Sequence, residues 1–330
     1  MDCRLSIIIA IDDEDTDKIK KSIDSALAQD KADTDIIICA DSCSEDAKKL
    51  LSGYEKKENV KIFYTCEKRG RGGAFNLGIR KSISEKEAKN EFLCFVNAGD
   101  TLAPVFADKL LKKAIDSNAD IVSCRDNSAE SGTDAAVFSE AVKMDSYEKH
   151  ALLSVNPGNM ESKIYKRSIF DKNGLWFPEN LSCEKMGINR LALLCSENFD
   201  FTDEELYFFD KEKKEISEEE LYDRMDVMTY FMEECYKREF LEEFPEEAEC
   251  AFADDMYVKT LFAYIASTPA KKRKISFLEM LKEGILDCFP EFETNPYYFE
   301  KYDDDIKDLI SLHIESPKKF LKLINKDNPL

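Results

Sequence analysis

Short apolar runs alternate with amphipathic stretches along the first third of the chain. Residues 5–11, Leu-Ser-Ile-Ile-Ile-Ala-Ile, carry too little polarity for a half-exposed strand and predict one buried on both faces. Residues 18–28 follow with Ile19, Ile23, Ala26 and Leu27 at helical spacing. The alternation repeats, with strands over 35–40, 60–64, 91–96 and 120–124 and helices over 47–54, 74–82 and 104–118. Strand–helix repetition of this kind predicts an α/β domain: a mostly parallel, twisted sheet flanked by helices. Ligands of such sheets bind outside the carboxyl ends of the strands. The strand at 7, the one at 37 and the one at 95 should therefore bring Asp12, Asp41 and Asp100 to one cleft.

Beyond residue 124 the pattern changes. Residues 125–133 are small and polar and read as a loop, and 137–178 are mixed. From Glu184 onward the chain reads as mostly helical and very acidic, with amphipathic helices over 221–236, 253–266, 276–288 and 302–312. The expected division is a domain over 1–217 followed by an acidic helical region over 218–330. The basic run Lys271-Lys272-Arg273-Lys274 reads as a solvated loop that offsets the acidic helices.

The chain has 330 residues and a formal net charge of −21. Such a surface repels phosphate backbones, which excludes nucleic acid as a main partner. It does not exclude a nucleotide bound in a locally neutralised cleft. The 11 cysteines form no Cys-x-x-Cys pair, and the 2 histidines, His150 and His313, lie far apart, so a zinc site is not expected. No signal peptide and no apolar run of about 18 residues is visible, so reduced thiols and a cytoplasmic setting are expected. Contact with a membrane would be peripheral; a protein partner stays open.

The strand ends resemble those of the family-two glycosyltransferases. Ser6 to Asp13, then Ser25-Ala26-Leu27-Ala28-Gln29, is similar to the family's opening strand and helix. Asp41-Ser42-Cys43-Ser44-Glu45-Asp46 resembles its acidic loop after the second strand, and Gly70 to Ile79 its Gly-rich loop leading into Ala-Arg-Asn-x-Gly. Val96-Asn97-Ala98-Gly99-Asp100-Thr101-Leu102-Ala103-Pro104 is similar to Leu-Asp-x-Asp-Asp-x-Leu-x-Pro. Lys163 to Arg167 and Gly174 to Glu179 resemble the segment before the family's Glu-Asp pair, which falls here on Glu184-Lys185.

The resemblance implies a GT-A fold and transfer of a sugar from a nucleoside-diphosphate sugar, with a UDP-sugar as the expected donor, to an acceptor hydroxyl with inversion. It implies Mg²⁺ or Mn²⁺ on Asp100, because departing diphosphates are commonly neutralised by a divalent ion held by carboxylates and phosphates. It places Asp12, Asp13, Asp41, Gly70, Asn76 and Asn97 around the nucleotide and Glu184 as the general base. The acceptor is unknown. Several positions depart from the family: Ser42 replaces an acid, Phe75 an Arg, Asn97 and Gly99 two acids near the metal, and Lys185 the catalytic Asp. Asp210 stands where an Arg often follows a Tyr-Tyr run. A lysine of ordinary pKa, about 10.4, is protonated at pH 7 and cannot accept a proton. Two readings stay open. Family membership favours an active, weakened glycosyltransferase; the replacements favour a pseudoenzyme that serves as a binding or assembly partner in polysaccharide or glycoconjugate synthesis. A nucleotidyltransferase-like reading lacks a basic, Gly-rich signature near residue 1.

Overall fold

The computed structural model describes residues 3–12, 14–29, 33–41, 43–82, 90–210 and 216–326. Backbone contacts divide the chain into two units, Met1–Glu212 and Lys213–Leu330.

The described residues of the first unit build an eight-stranded mixed sheet in the order β3-β2-β1-β4-β7-β6-β8-β5. The strands are β1 (Cys3–Ile11), β2 (Thr34–Ala40), β3 (Val60–Tyr64), β4 (Asn90–Asn97), β5 (Thr101–Leu102), β6 (Ile121–Asp126), β7 (Lys163–Lys166) and β8 (Phe199–Phe208). The first four run parallel, as the repeating pattern predicts. Beyond β4 the sheet mixes directions, because β7 pairs antiparallel with both β4 and β6, and β5 with β8. Helices α1 (Thr16–Leu27), α2 (Glu45–Ser52), α3 (Gly70–Lys81) and α4 (Phe106–Ser117) connect the N-terminal strands. Further helices α5 (Ser131–Ala141), α6 (Ser146–Val155), α7 (Ser168–Asn173) and α8 (Lys185–Leu194) follow.

Ile7, Ile8 and Ile9 are all fully buried, so consecutive side chains on opposite faces of β1 both meet protein. One face packs Ile7, Ile9, Ile36, Ile38 and Val96 against α1 and α4. The other carries an aromatic group in which Phe95 meets Phe75 at 5.3 Å, Phe177 at 5.1 Å and Phe170 at 5.4 Å between ring centroids. The register Ile11↔Ala40 and Ala10↔Asn97 brings the carboxyl ends of β2, β1 and β4 to one edge, so Asp41, Asp12 and Asn97 share that edge.

Two segments differ from the sequence expectation. The stretch 125–133, read as a loop, contains the end of β6 and the start of α5. The region after Glu184, read as helical, contains the ten-residue strand β8. Its centre, Asp203-Glu204-Glu205, is exposed, so the strand lacks the apolar alternation that would have revealed it.

The second unit is helical: α9 (Glu218–Lys237), α10 (Phe240–Glu243), α11 (Pro245–Phe252), a π-helical stretch (Ala253–Val258) continuing into α12 (Lys259–Ser267), α13 (Ile275–Cys288), α14 (Pro296–Lys301), α15 (Asp304–Glu315) and α16 (Pro317–Lys326). No helix among the described residues is long and apolar enough to cross a membrane.

Candidate active site

Asp41 follows β2, and its side chain is fully buried. One oxygen accepts from Gly70 N at 2.7 Å, both accept from Arg69 N, and Thr65 Oγ1 donates to it as well. The carboxylate thus satisfies N–H groups that the first turn of α3 leaves without intrahelical partners. This explains why the glycine-rich stretch is helical from Gly70 rather than a loop that begins its helix at residue 74. Gly72 is needed for packing: a Cβ there would lie 2.1 Å from the carbonyl oxygen of Pro178. Asn76, on the same helix, clamps that segment from both ends of its amide. Its Nδ2 donates to Phe177 O and its Oδ1 accepts from Phe177 N, each at 2.9 Å. Asp41, Gly70 and Asn76 therefore shape the frame, and their polar atoms face protein.

Of the remaining sequence candidates, Asn97, Asp100 and Glu184 meet in one cluster around Lys185. Asn97, the last residue of β4, donates to Asp100 Oδ2 at 3.0 Å and to Glu161 Oε1 at 3.2 Å. Its Oδ1 accepts from Lys185 Nζ, which also donates to Glu161 Oε1 at 2.8 Å. Lys185 Nζ lies 3.9 Å from Glu184 Oε1 and 5.0 Å from the centre of the Phe75 ring. Arg71 Nε, from the first turn of α3, stands 3.7 Å from the same Glu184 oxygen. Glu184 is 2% exposed. It immediately precedes α8 with a helical backbone (φ −51°, ψ −21°) and no side-chain cap bond, and the Lys185 ammonium lies close to its carboxylate although the two are neighbours in sequence. Asp12 donates its backbone N–H to Glu14 Oε2 at 2.6 Å, and its charge, like those of Glu14, Glu161 and Glu184, acts on Arg71. Asp13 and Ser42 lie outside the described residues.

The charges follow from this packing. Burial pushes the Glu14 carboxyl up from its usual range, against hydrogen bonds and the Arg71 charge. Burial also opposes ionisation of Glu161, but the Lys185 ammonium and the hydrogen bonds around it win and hold that carboxyl below its ordinary value. Asp100 is raised by burial, although Asp210 N donates to its Oδ1 at 2.9 Å and the Tyr207 hydroxyl to its Oδ2 at 2.8 Å.

These residues do not fit a divalent ion. Each oxygen of Asp100 already accepts a protein hydrogen bond, the Asn97 carbonyl oxygen is taken by an ammonium, and that ammonium would repel a second cation beside it. Among the described residues, no group of three or more His, Cys, Asp or Glu is arranged to hold a metal. The acid missing at Gly99 has a backbone cause: φ is +107°, and a Cβ would lie 3.0 Å from Asp210 Oδ2. Phe75, where the resemblance expects an arginine, belongs to the buried aromatic group.

Sequence reasoning assigned no role to Arg71, Glu161 or Tyr207. Arg71 lies four residues before Phe75 in the quoted motif, hence on the same helix face one turn earlier, which is a signal the sequence does contain. Glu161 and Tyr207 reach the cluster through β7 and β8, and nothing local in the sequence marks them.

A family model described as glycosyl transferase family 2 matches residues 6–174, and the chain belongs to that family. EpsH of Bacillus subtilis (strain 168), named as a glycosyltransferase, is 24% identical over 180 residues, 53% of this chain and 50% of that protein. The succinoglycan biosynthesis protein ExoO of Rhizobium meliloti (strain 1021) is 29% identical over 126 residues, 38% of this chain and 34% of that protein. This chain thus spans half or less of the length of these two relatives. Among solved structures, S. aureus TarS 1-349 in complex with UDP-GlcNAc has a TM-score of 0.65 at 14% identity, covering 98% of this chain and 91% of that one. The mannosyltransferase PcManGT from Pyrobaculum calidifontis, in complex with GDP-Man and Mn²⁺, has a TM-score of 0.52 at 12% identity, covering 99% of this chain and 88% of that one. These likenesses establish the GT-A fold.

Proposed function

We propose that this chain is a glycosyltransferase that moves a sugar from a nucleoside-diphosphate sugar to an acceptor hydroxyl with inversion. The observation that carries the reading is the buried carboxylate of Glu184 beside Arg71 and Lys185, the latter bonded to Asn97 at the carboxyl edge of β1 and β4, in a family-two chain. The acceptor oxygen bonds to the anomeric carbon from the face opposite the diphosphate. The carbon–oxygen bond to the diphosphate breaks, and its electron pair leaves on the phosphate oxygen. The hydroxyl proton passes to Glu184, which later releases it to water. Asp12 and Asp13 are assigned to the nucleotide sugar itself; Asp41, Gly70 and Asn76 hold the backbone that frames it, and Asn97, whose amide is spent on Asp100, Glu161 and Lys185, positions the Lys185 ammonium beside it. In this reading Asp100 and Asn97, already bonded to protein groups, do not hold Mg²⁺ or Mn²⁺.

The TarS complex supports a UDP-sugar as the first donor to test, and the relation to ExoO supports a polysaccharide or glycoconjugate acceptor. The two contact units support a transferase domain over 1–217 followed by an acidic helical region over 218–330. One observation favours the rival reading of a pseudoenzyme: Lys185, at the family's base position, is ion-paired with Glu161. The test is release of nucleoside diphosphate from a panel of nucleotide sugars, with calorimetry on the same compounds. Turnover of any donor supports the enzyme. Tight binding of a donor with no turnover, across acceptors, supports the rival.

A further inference from the structure

The cluster contains two cations that the proposed chemistry has not used. Lys185 has three N–H donors. Two go to Asn97 Oδ1 and Glu161 Oε1; among the described residues the third makes no hydrogen bond, and Glu184 Oε1 lies 3.9 Å away. Arg71 is 30% exposed. Among the described residues its guanidinium makes no hydrogen bond, and its nearest carboxylate oxygen is that same Glu184 Oε1, at 3.7 Å. Both separations are too long for a hydrogen bond. Two cations from different elements, the first turn of α3 and the start of α8, thus point at one buried oxygen that satisfies neither. The carboxylates behind them fix their positions. Glu161 anchors the Lys185 ammonium, and the charges of Glu184, Glu14, Glu161 and Asp12 all act on Arg71.

A diphosphate is a better partner for this pair than Glu184 is. Its oxygens are mobile enough to approach to hydrogen-bond distance, and a guanidinium fork matches two phosphate oxygens at once. We infer that Arg71 and Lys185 together receive the diphosphate of the donor, in place of a divalent ion, and that its arrival displaces Glu184 from both cations. This rests on the reading that a nucleoside diphosphate enters the cluster. It gives the substitutions a common logic: the aromatic core took position 75, the cation moved one turn earlier to 71, and a fixed ammonium stands next to Asn97. It also links binding to chemistry, since Glu184 becomes a free carboxylate only once the donor is seated.

The test is calorimetric titration of the whole chain with UDP, GDP and uridine, in EDTA and then in excess Mn²⁺. UDP or GDP should bind in EDTA, with affinity changed less than about twofold by Mn²⁺. Lys185→Met and Arg71→Gln should each weaken that binding about tenfold or more, the loss expected when a charge-assisted hydrogen bond disappears. Uridine, which lacks phosphates, should bind wild type and variants alike and so reports that they are folded. Glu184→Gln, which removes the competing carboxylate, should tighten diphosphate binding, an effect no merely structural role predicts. Binding that requires Mn²⁺, or that survives both cation substitutions, overturns the inference and leaves the transferase reading standing. No binding of either diphosphate under any condition overturns both.

Discussion

Arg71 Nε and Glu184 Oε1 lie 3.7 Å apart, joining the first turn of α3 to the residue that precedes α8. The contact ties a cation from the glycine-rich motif to the proposed base, so α3 has to be held in place for the cluster to form.

Asp41 does the holding. It is fully buried and accepts from Arg69 N, Gly70 N and Thr65 Oγ1. Asp41→Ala leaves these donors unpaired and should lower stability by about 2–4 kcal/mol, with a fall in nucleotide affinity. Asp41→Asn keeps an acceptor oxygen and should lose less. Urea unfolding of the three proteins checks the order.

Restoring the family acid at position 99 should not restore a metal site. Gly99→Asp forces a side chain onto a backbone with φ of +107° and against Asp210. A loss of stability of about 1–3 kcal/mol is expected, with no gain in Mn²⁺ binding. Electron paramagnetic resonance of free Mn²⁺ alongside thermal melts reads both outcomes.

The fold was legible where burial is uniform. Continuous apolar runs announced β1, β2 and β4, because strands covered on both faces cannot alternate. β8 escaped because its middle is acidic and exposed, and its pairing with β6 and β5 is a tertiary fact. The site was legible as a set of strand ends and not as a set of contacts. Asp41, Gly70 and Asn76 sit where the motif placed them, yet each turns its polar atoms to protein. The closeness of the Lys185 ammonium to the Glu184 carboxylate could not be read from sequence, since neighbouring side chains at a helix start ordinarily point apart. Glu161, separated from Asn97 by 64 positions, is brought in by the fold alone.

The Glu161–Lys185 pair sets an acid limit on stability. Glu161 has its carboxyl lowered below the usual 4.5 in the folded chain. Its contribution is therefore present above that ordinary value and is lost as pH falls through the lower folded one. Wild type should exceed Glu161→Gln in stability at neutral pH, and the gap should shrink below about pH 4. Urea midpoints measured across that range decide it. A gap that is constant with pH would show that the pair is not ionised as described.

The aromatic group behind the cluster should dominate the stability of the first unit. Phe95 is fully buried against Phe75, Phe170 and Phe177. Phe95→Ala should cost about 3–5 kcal/mol, through lost burial and the cavity left behind. Phe75→Arg, which restores the family residue, should be destabilising for the same reason, and denaturant unfolding measures both.

Glu184 is proposed to take the proton of the acceptor hydroxyl. This is tested most directly by comparing wild type with Glu184→Gln for transfer from a donor that the wild type turns over, under saturating nucleotide sugar. Turnover should fall by about 10²–10⁴-fold in Glu184→Gln, while nucleotide affinity holds or rises. Equal turnover in the two proteins would contradict it.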